Sequence, residues 1–118
     1  MTSTSRFGGD VEPDALTATT YTTDTALGNA DFPTEFIILN GDDHTVAITQ
    51  WTPTVGRMYF IYASNVDNAL TITLSSGGTW DGTNDVATLD GVGEFLVVFC
   101  VAALKLEVVA NPDSITFS

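Results

Sequence analysis

Residues 94–101 read EFLVVFCV: one acid, then seven apolar residues with no polar one between them. Residues 57–64, RMYFIYAS, are another long apolar and aromatic run. Runs this short, bounded by turn residues such as DGVG at 90–93, are strands rather than helices. Successive side chains of a strand point to opposite faces, so both faces of these two strands are apolar. In a two-layer sandwich only one face of each sheet meets the core. The outer faces therefore need a cover, supplied either by the N-terminal segment and long loops or by another subunit. Each large apolar side chain covered is worth roughly 1.5–3 kcal/mol, so a few per protomer sustain a permanent oligomer.

The rest of the chain reads as strands and turns, with no convincing helix. Residues 1–15 are Ser/Thr/Gly-rich, with Pro13 and little apolar content, and predict a flexible or extended N-terminal arm. Residues 16–27, rich in β-branched Thr, predict a first strand. Further strands are predicted at 32–40, 44–51, 57–64, 69–74, 86–89, 94–101, 104–109 and 114–117. ALTITL at 69–74 alternates cleanly, with Leu70, Ile72 and Leu74 inward. Asn40–Asp43, 65–68, 90–93 and 111–113 carry turn chemistry. About eight short strands at this spacing predict an all-β fold, an antiparallel β-sandwich or jelly-roll-like domain spanning 16–118. At 118 residues a single domain is expected.

Fifteen acids face Arg6, Arg57 and Lys105, for a formal net charge of −12. Such a chain is repelled by a phosphate backbone and by anionic lipid, so neither nucleic acid nor membrane is an expected partner. The acids are dispersed, which fits an ordinary soluble acidic surface or, given the scarcity of lysine, adaptation to a salty, halophilic milieu. MTSTSRFGGD lacks the apolar segment of a secretory signal.

Chemical motifs are sparse. His44, the single histidine, stands beside Asp42 and Asp43 in a turn. Cys100, the single thiol, lies inside an apolar strand, where cysteine acts as a small buried hydrophobe. No catalytic, cofactor-binding or metal residue is expected, and the chain is not expected to be an enzyme. Asp81, Thr83 and Asp85 alternate as in a calcium loop, but Val86 stands where glycine is needed and Val92 where the closing glutamate belongs. Trp51 and Trp80, near loops, read as lids over the core or as subunit contacts, with sugar stacking as another reading. Arg57 is expected to pair with a carboxylate within or between subunits.

Residues 52–109 carry an ordered set of short motifs: Val55-Gly56-Arg57-Met58-Tyr59-Phe60-Ile61, then Ala69-Leu70-Thr71-Ile72, then Gly78-Thr79-Trp80-Asp81-Gly82, then Ala87-Thr88-Leu89 with Gly91 and Gly93. This run resembles a recurring module of virion proteins from tailed viruses, whether of bacteria or of haloarchaea. Where that family often ends in a tryptophan-containing strand, LKLEVV stands here. The resemblance implies a trimeric β-domain of the kind found in capsid decoration proteins, head fibres and tail fibres. The expected function is a capsid decoration (cement) protein that sits as a homotrimer on the major capsid protein, at the outer surface of a virion made in the host cytoplasm. The alternatives are a receptor-binding or structural fibre component and, from a different class, a carbohydrate-binding β-sandwich module. Phe95, Val97 and Phe99 on one face of the last long strand, with Arg57, Trp51 and Trp80, are the expected subunit or shell contacts. The arm is expected to help dock the domain on the shell.

Overall fold

The computed structural model describes residues 17–118, so the arm expected at 1–15 lies outside the described residues. Ten strands follow: β1 (Ala18–Tyr21), β2 (Thr25–Ala30), β3 (Phe36–Gly41), β4 (Ala47–Trp51), β5 (Met58–Val66), β6 (Leu70–Leu74), β7 (Val86–Leu89), β8 (Phe95–Ala102), β9 (Lys105–Ala110) and β10 (Thr116–Phe117). They form two five-stranded sheets, a front sheet ordered β1-β3-β5-β8-β9 and a back sheet ordered β10-β7-β6-β4-β2. No described residue is helical. The fold is an all-β sandwich.

The pairing directions correct the antiparallel expectation. From β1 to β6 the chain alternates between the sheets, odd strands in front and even strands behind. Each of β1–β2, β3–β4 and β5–β6 is one turn of a flattened coil. Successive turns stack in parallel, β1 on β3 on β5 and β2 on β4 on β6. Parallel neighbours need a long crossover, and here the crossover is the strand of the opposite sheet. After β6 the pairing becomes antiparallel, with β7 on β6, β8 on β5, β9 on β8 and β10 on β7. The strand count exceeds the eight or so expected partly because 16–27 is divided at Thr22–Asp24, where the chain crosses from front to back.

The period of two sorts each strand into an inner and an outer face. Ile37 and Leu39, Tyr59, Ile61 and Ala63, and Leu96, Val98 and Cys100 point inward from the front sheet and are buried. Ile48, then Leu70, Ile72 and Leu74, then Ala87 and Leu89 meet them from the back sheet. Phe32, Trp51, Trp80 and Ile115 complete the same core.

The front-to-back corners explain the acids clustered there. Asp24 accepts the Ala47 N–H at 2.8 Å, and the Asp67 carboxylate accepts the Asp43 N–H. Each carboxylate thus ties one coil turn to another. Gly41 lies buried under this corner, where a Cβ would stand 2.7 Å from Leu70 Cδ2 and 2.9 Å from the His44 carbonyl oxygen.

Candidate assembly face

The outward side chains of the front sheet are aligned by its register. One row runs Ala18, Phe36, Phe60, Val97, and the next Thr20, Ile38, Tyr62, Phe95. Met58 opposite Phe99 extends the face toward one end. Met58, Phe60, Tyr62 and Phe95 are 38–43% exposed, whereas Val97 in the middle of the face is buried. The rings of Phe36 and Phe60 stack with centroids 4.8 Å apart and planes 9° from parallel. Ala18 is the small member of its row. Beside it a groove of about 360 Å³ opens, walled by Phe36, Ile38, Phe60, Tyr62 and Phe95.

No outward side chain on β1, β3, β5 or β8 is charged, in a chain of net charge −12. Glu107 on β9, opposite Phe99, marks where charge resumes. The back sheet is built differently. Its outward positions include Thr49, Thr71, Thr73, Thr88 and Thr116, with Thr71, Thr88 and Thr116 directly opposite one another across three strands. Threonine keeps the β-branched shape a strand favours and offers a hydroxyl to water. One outer face is therefore solvated, and the other presents a contiguous apolar patch of the kind that marks an interaction surface.

Phe95, Val97 and Phe99 share this face, as their spacing predicts. Met58, Phe60, Tyr62, Phe36 and Ile38 complete it. The unbroken apolar run at 57–64 signals the first three. The four consecutive apolar residues at 36–39, FIIL, carry the same signal on a shorter run, and the parallel pairing of β3 with β5 brings Phe36 and Ile38 onto the face. Trp51 and Trp80 are a correction, since neither belongs to a surface contact. Both are fully buried, with ring centroids 5.4 Å apart. Each indole N–H finds a partner inside the chain, Trp51 at Asp31 Oδ1 (2.8 Å) and Trp80 at the Asp85 carbonyl (3.0 Å). Their polar handles are thus used internally, and the rings serve as core.

Arg57 pairs within its own chain. Its Nη1 lies 2.6 Å from Asp31 Oδ2, and its Nε lies 3.3 Å from Glu35 Oε2. Asp31 is a hub at the corner between β2 and β3. It also accepts from the Phe32 N–H, the Thr54 hydroxyl and the Tyr59 hydroxyl. Burial pushes the Asp31 carboxyl up, but the hydrogen bonds from Thr54, Trp51, Tyr59 and Phe32 together hold it below the ordinary carboxylate range. Burial, with the neighbouring Asp31 charge, raises Tyr59. Five donors converging on one carboxylate fasten the β2–β3 corner to the β4–β5 corner.

Asp81 and Cys100 have partners within the chain. The Asp81 carboxylate accepts the N–H groups of Thr83 (3.0 Å) and Asn84 (2.8 Å) and the Asn84 side-chain amide (2.9 Å). Those bonds, the Asn84 ones foremost, lower its pKa. Among the described residues, the acids whose ligand atoms gather closely enough for a cation are Asp42, Asp43 and Asp67, all exposed. They flank the corner that the Asp43 N–H and the Asp67 carboxylate close. Cys100 is buried, its thiol donates to the Ala102 carbonyl at 3.2 Å, and burial pushes its pKa up.

No protein-family model, curated protein or solved structure matches this chain.

Proposed function

We propose that this chain is a virion structural protein, a capsid decoration protein that assembles as a homotrimer and stabilises the outer shell of a tailed virus. The observation that carries the reading is the uncharged apolar outer face of the front sheet, set against the threonine face of the back sheet. In a three-fold assembly one such face serves both neighbours, and the strand at its centre lies nearest the axis. The central strand of the front sheet is β5, with Phe60 at its middle. Burying Phe60, Phe95 and Phe99 with their counterparts supplies roughly 1.5–3 kcal/mol per large side chain, which offsets the mutual repulsion of acidic protomers. The solvated faces and acidic corners then point outward. The major capsid protein is the partner this reading requires, and the virion surface is the location. The sequence resemblance over 52–109 supplies the viral context.

The test is light scattering of the purified protein at moderate salt, followed by mixing with undecorated capsids and with host cells. A mass three times that of the chain and saturable binding to the shell support the reading. A monodisperse monomer at high concentration ends the trimer proposal. Binding to cells and never to shells replaces decoration with a receptor-binding fibre role.

A further inference from the structure

Asn40 and Gly41 are the one Asn-Gly pair of the chain, and they end β3. We propose that this pair is a covalent modification site, at which Asn40 deamidates when the corner opens and is spared while the corner is closed.

The pair itself carries the chemistry. The Gly41 amide nitrogen attacks Asn40 Cγ, and the bond from Cγ to the side-chain nitrogen breaks. The Gly41 proton passes through solvent to that nitrogen, which leaves as ammonia. A five-membered succinimide ring remains. Water adds to one of the two ring carbonyls and opens the ring, giving aspartate from one carbonyl and isoaspartate from the other. No oxidant or reductant is involved. A side chain on the residue after asparagine hinders the attack, and glycine has none. The other asparagines are followed by Ala30, Val66, Ala69, Asp85 and Pro112, the last of which has no N–H to react.

The closed corner blocks this reaction for a geometric reason. Asn40 lies in a strand, and an extended backbone holds the next amide nitrogen away from the side chain. Ring closure needs a large rotation about the Asn40 Cα–C bond. That rotation would carry Gly41 out of its buried place against Leu70 and the His44 carbonyl. The missing Cβ that lets Gly41 fit there also makes the opened pair reactive.

Three observations make this corner the place that opens. Asn40 Oδ1 is buried, and no donor among the described residues reaches it, so closing the corner leaves an acceptor unsatisfied. The register of β3 on β5 shifts between Leu39 and Asn40. The Gly41 carbonyl accepts the His44 and Asp67 N–H groups at 3.4 and 3.3 Å, longer than an ordinary N–H···O bond.

The product does not fit back. Deamidation puts a negative charge where a neutral oxygen already lacks a donor. It also adds to the acids that flank the corner, Asp42, Asp43 and Asp67. Isoaspartate further lengthens the backbone inside β3 and displaces Gly41 from its pairing with Val66. Opening followed by deamidation is therefore a one-way loss. Every group involved belongs to one chain, so the inference does not rest on the trimer.

The experiment incubates the full chain at mildly alkaline pH across a urea series and digests samples at intervals. Mass spectrometry follows the small mass gain from replacing NH2 by OH in the peptide that holds Asn40. Isomerisation at Asp81-Gly82 and Asp90-Gly91 leaves mass unchanged and does not interfere. In full urea Asn40 should gain mass before any other asparagine, and in buffer it should do so several-fold more slowly. Equal rates in the two solutions, or an earlier gain at another asparagine, overturn the proposal. At urea concentrations below the unfolding transition, the Asn40 rate should already rise while tryptophan fluorescence stays native. A rate that rises only with global unfolding overturns the opening of the corner. In full urea, where its packing defect has no effect, Gly41→Ala should slow the reaction several-fold, and an unchanged rate overturns attack by the residue 41 amide. Asn40→Asp should melt well below Asn68→Asp, whose site is exposed just before β6. Equal midpoints overturn the one-way loss.

Discussion

The indole N–H of Trp51 donates to Asp31 Oδ1 at 2.8 Å, joining the end of β4 to the corner between β2 and β3. The Tyr59 hydroxyl donates to the same carboxylate at 2.7–2.9 Å and itself accepts the Thr54 N–H. Trp51 and Tyr59 also pack edge to face, with centroids 4.9 Å apart. The corner is thus closed by a carboxylate whose partners are the buried Phe32, Trp51 and Tyr59, a half-buried arginine and the exposed Thr54.

Asp31→Ala removes the acceptor and leaves the Trp51 N–H, the Tyr59 hydroxyl and the Arg57 guanidinium without it. Breaking a substantially buried ion pair from one side costs about 3–5 kcal/mol. Urea unfolding of the variant should show a loss in that range with an unchanged slope. A loss below about 1 kcal/mol would mean that water takes over the role of Asp31.

The same hub predicts the acid limb of the stability profile. Asp31 is held below its ordinary value of 3.8 in the folded protein. A group whose folded pKa is lowered contributes stability that is present above the unfolded pKa and is lost as pH falls through the folded one. Thermal midpoints should therefore fall progressively below about pH 4. In Asp31→Asn that limb should flatten, while the profile between pH 5 and 7 shifts down without changing shape. An acid limb equally steep in the variant would assign it to other carboxylates.

Gly41 tests the close approach of the coil corner to β6. A Cβ there meets a backbone oxygen at 2.9 Å as well as Leu70, so the neighbours have little freedom to yield. Gly41→Ala should cost about 1–3 kcal/mol as overpacking. Pairing it with Leu70→Val should recover part of the loss, and no recovery would place the clash at the His44 carbonyl instead.

Cys100 is expected to act by volume alone. Cys100→Ala should cost about 1–2 kcal/mol as a lost core atom. In the native protein the thiol should react with a thiol reagent far more slowly than in urea, because it is buried and its thiolate is disfavoured. A disulfide-linked dimer in non-reducing gels would show that the strand opens.

Much of this architecture can be read from residue order, and the unread part has one physical origin. Alternation in LTITL places Leu70, Ile72 and Leu74 inward, as the structure has them. The doubly apolar runs at 57–64 and 94–101 mark β5 and β8, which pair on one face. Alternation says which way a side chain points but not which strand lies beside it. The parallel coil of β1 to β6 was therefore illegible, and with it the pairing that sets Phe36 and Ile38 beside Phe60 and Tyr62. The Asp31 hub is hidden for the same reason, because most of its donors lie 20–28 residues away along the chain. Trp80 sits amid a turn-rich loop, yet that loop folds its ring inward to stack near Phe117 at 5.8 Å.

Phe60→Glu addresses the assembly face most directly. Phe60 is 38% exposed and points away from the core, so the sandwich should form without its ring. The new carboxylate would stand in the middle of an uncharged face, beside Phe36 and opposite Val97. Three such charges brought together near an axis would each lose solvation and repel one another, on protomers already at −12. The expected result is a fall in solution mass from three chains to one, with unfolding still cooperative. Thr73→Glu, on the outer face of the back sheet, should leave the mass unchanged. Lowering the salt should favour dissociation of the unmodified protein too, because acidic repulsion is then less screened. If Phe60→Glu keeps the mass of the unmodified protein across the salt range, the front sheet is not the subunit contact.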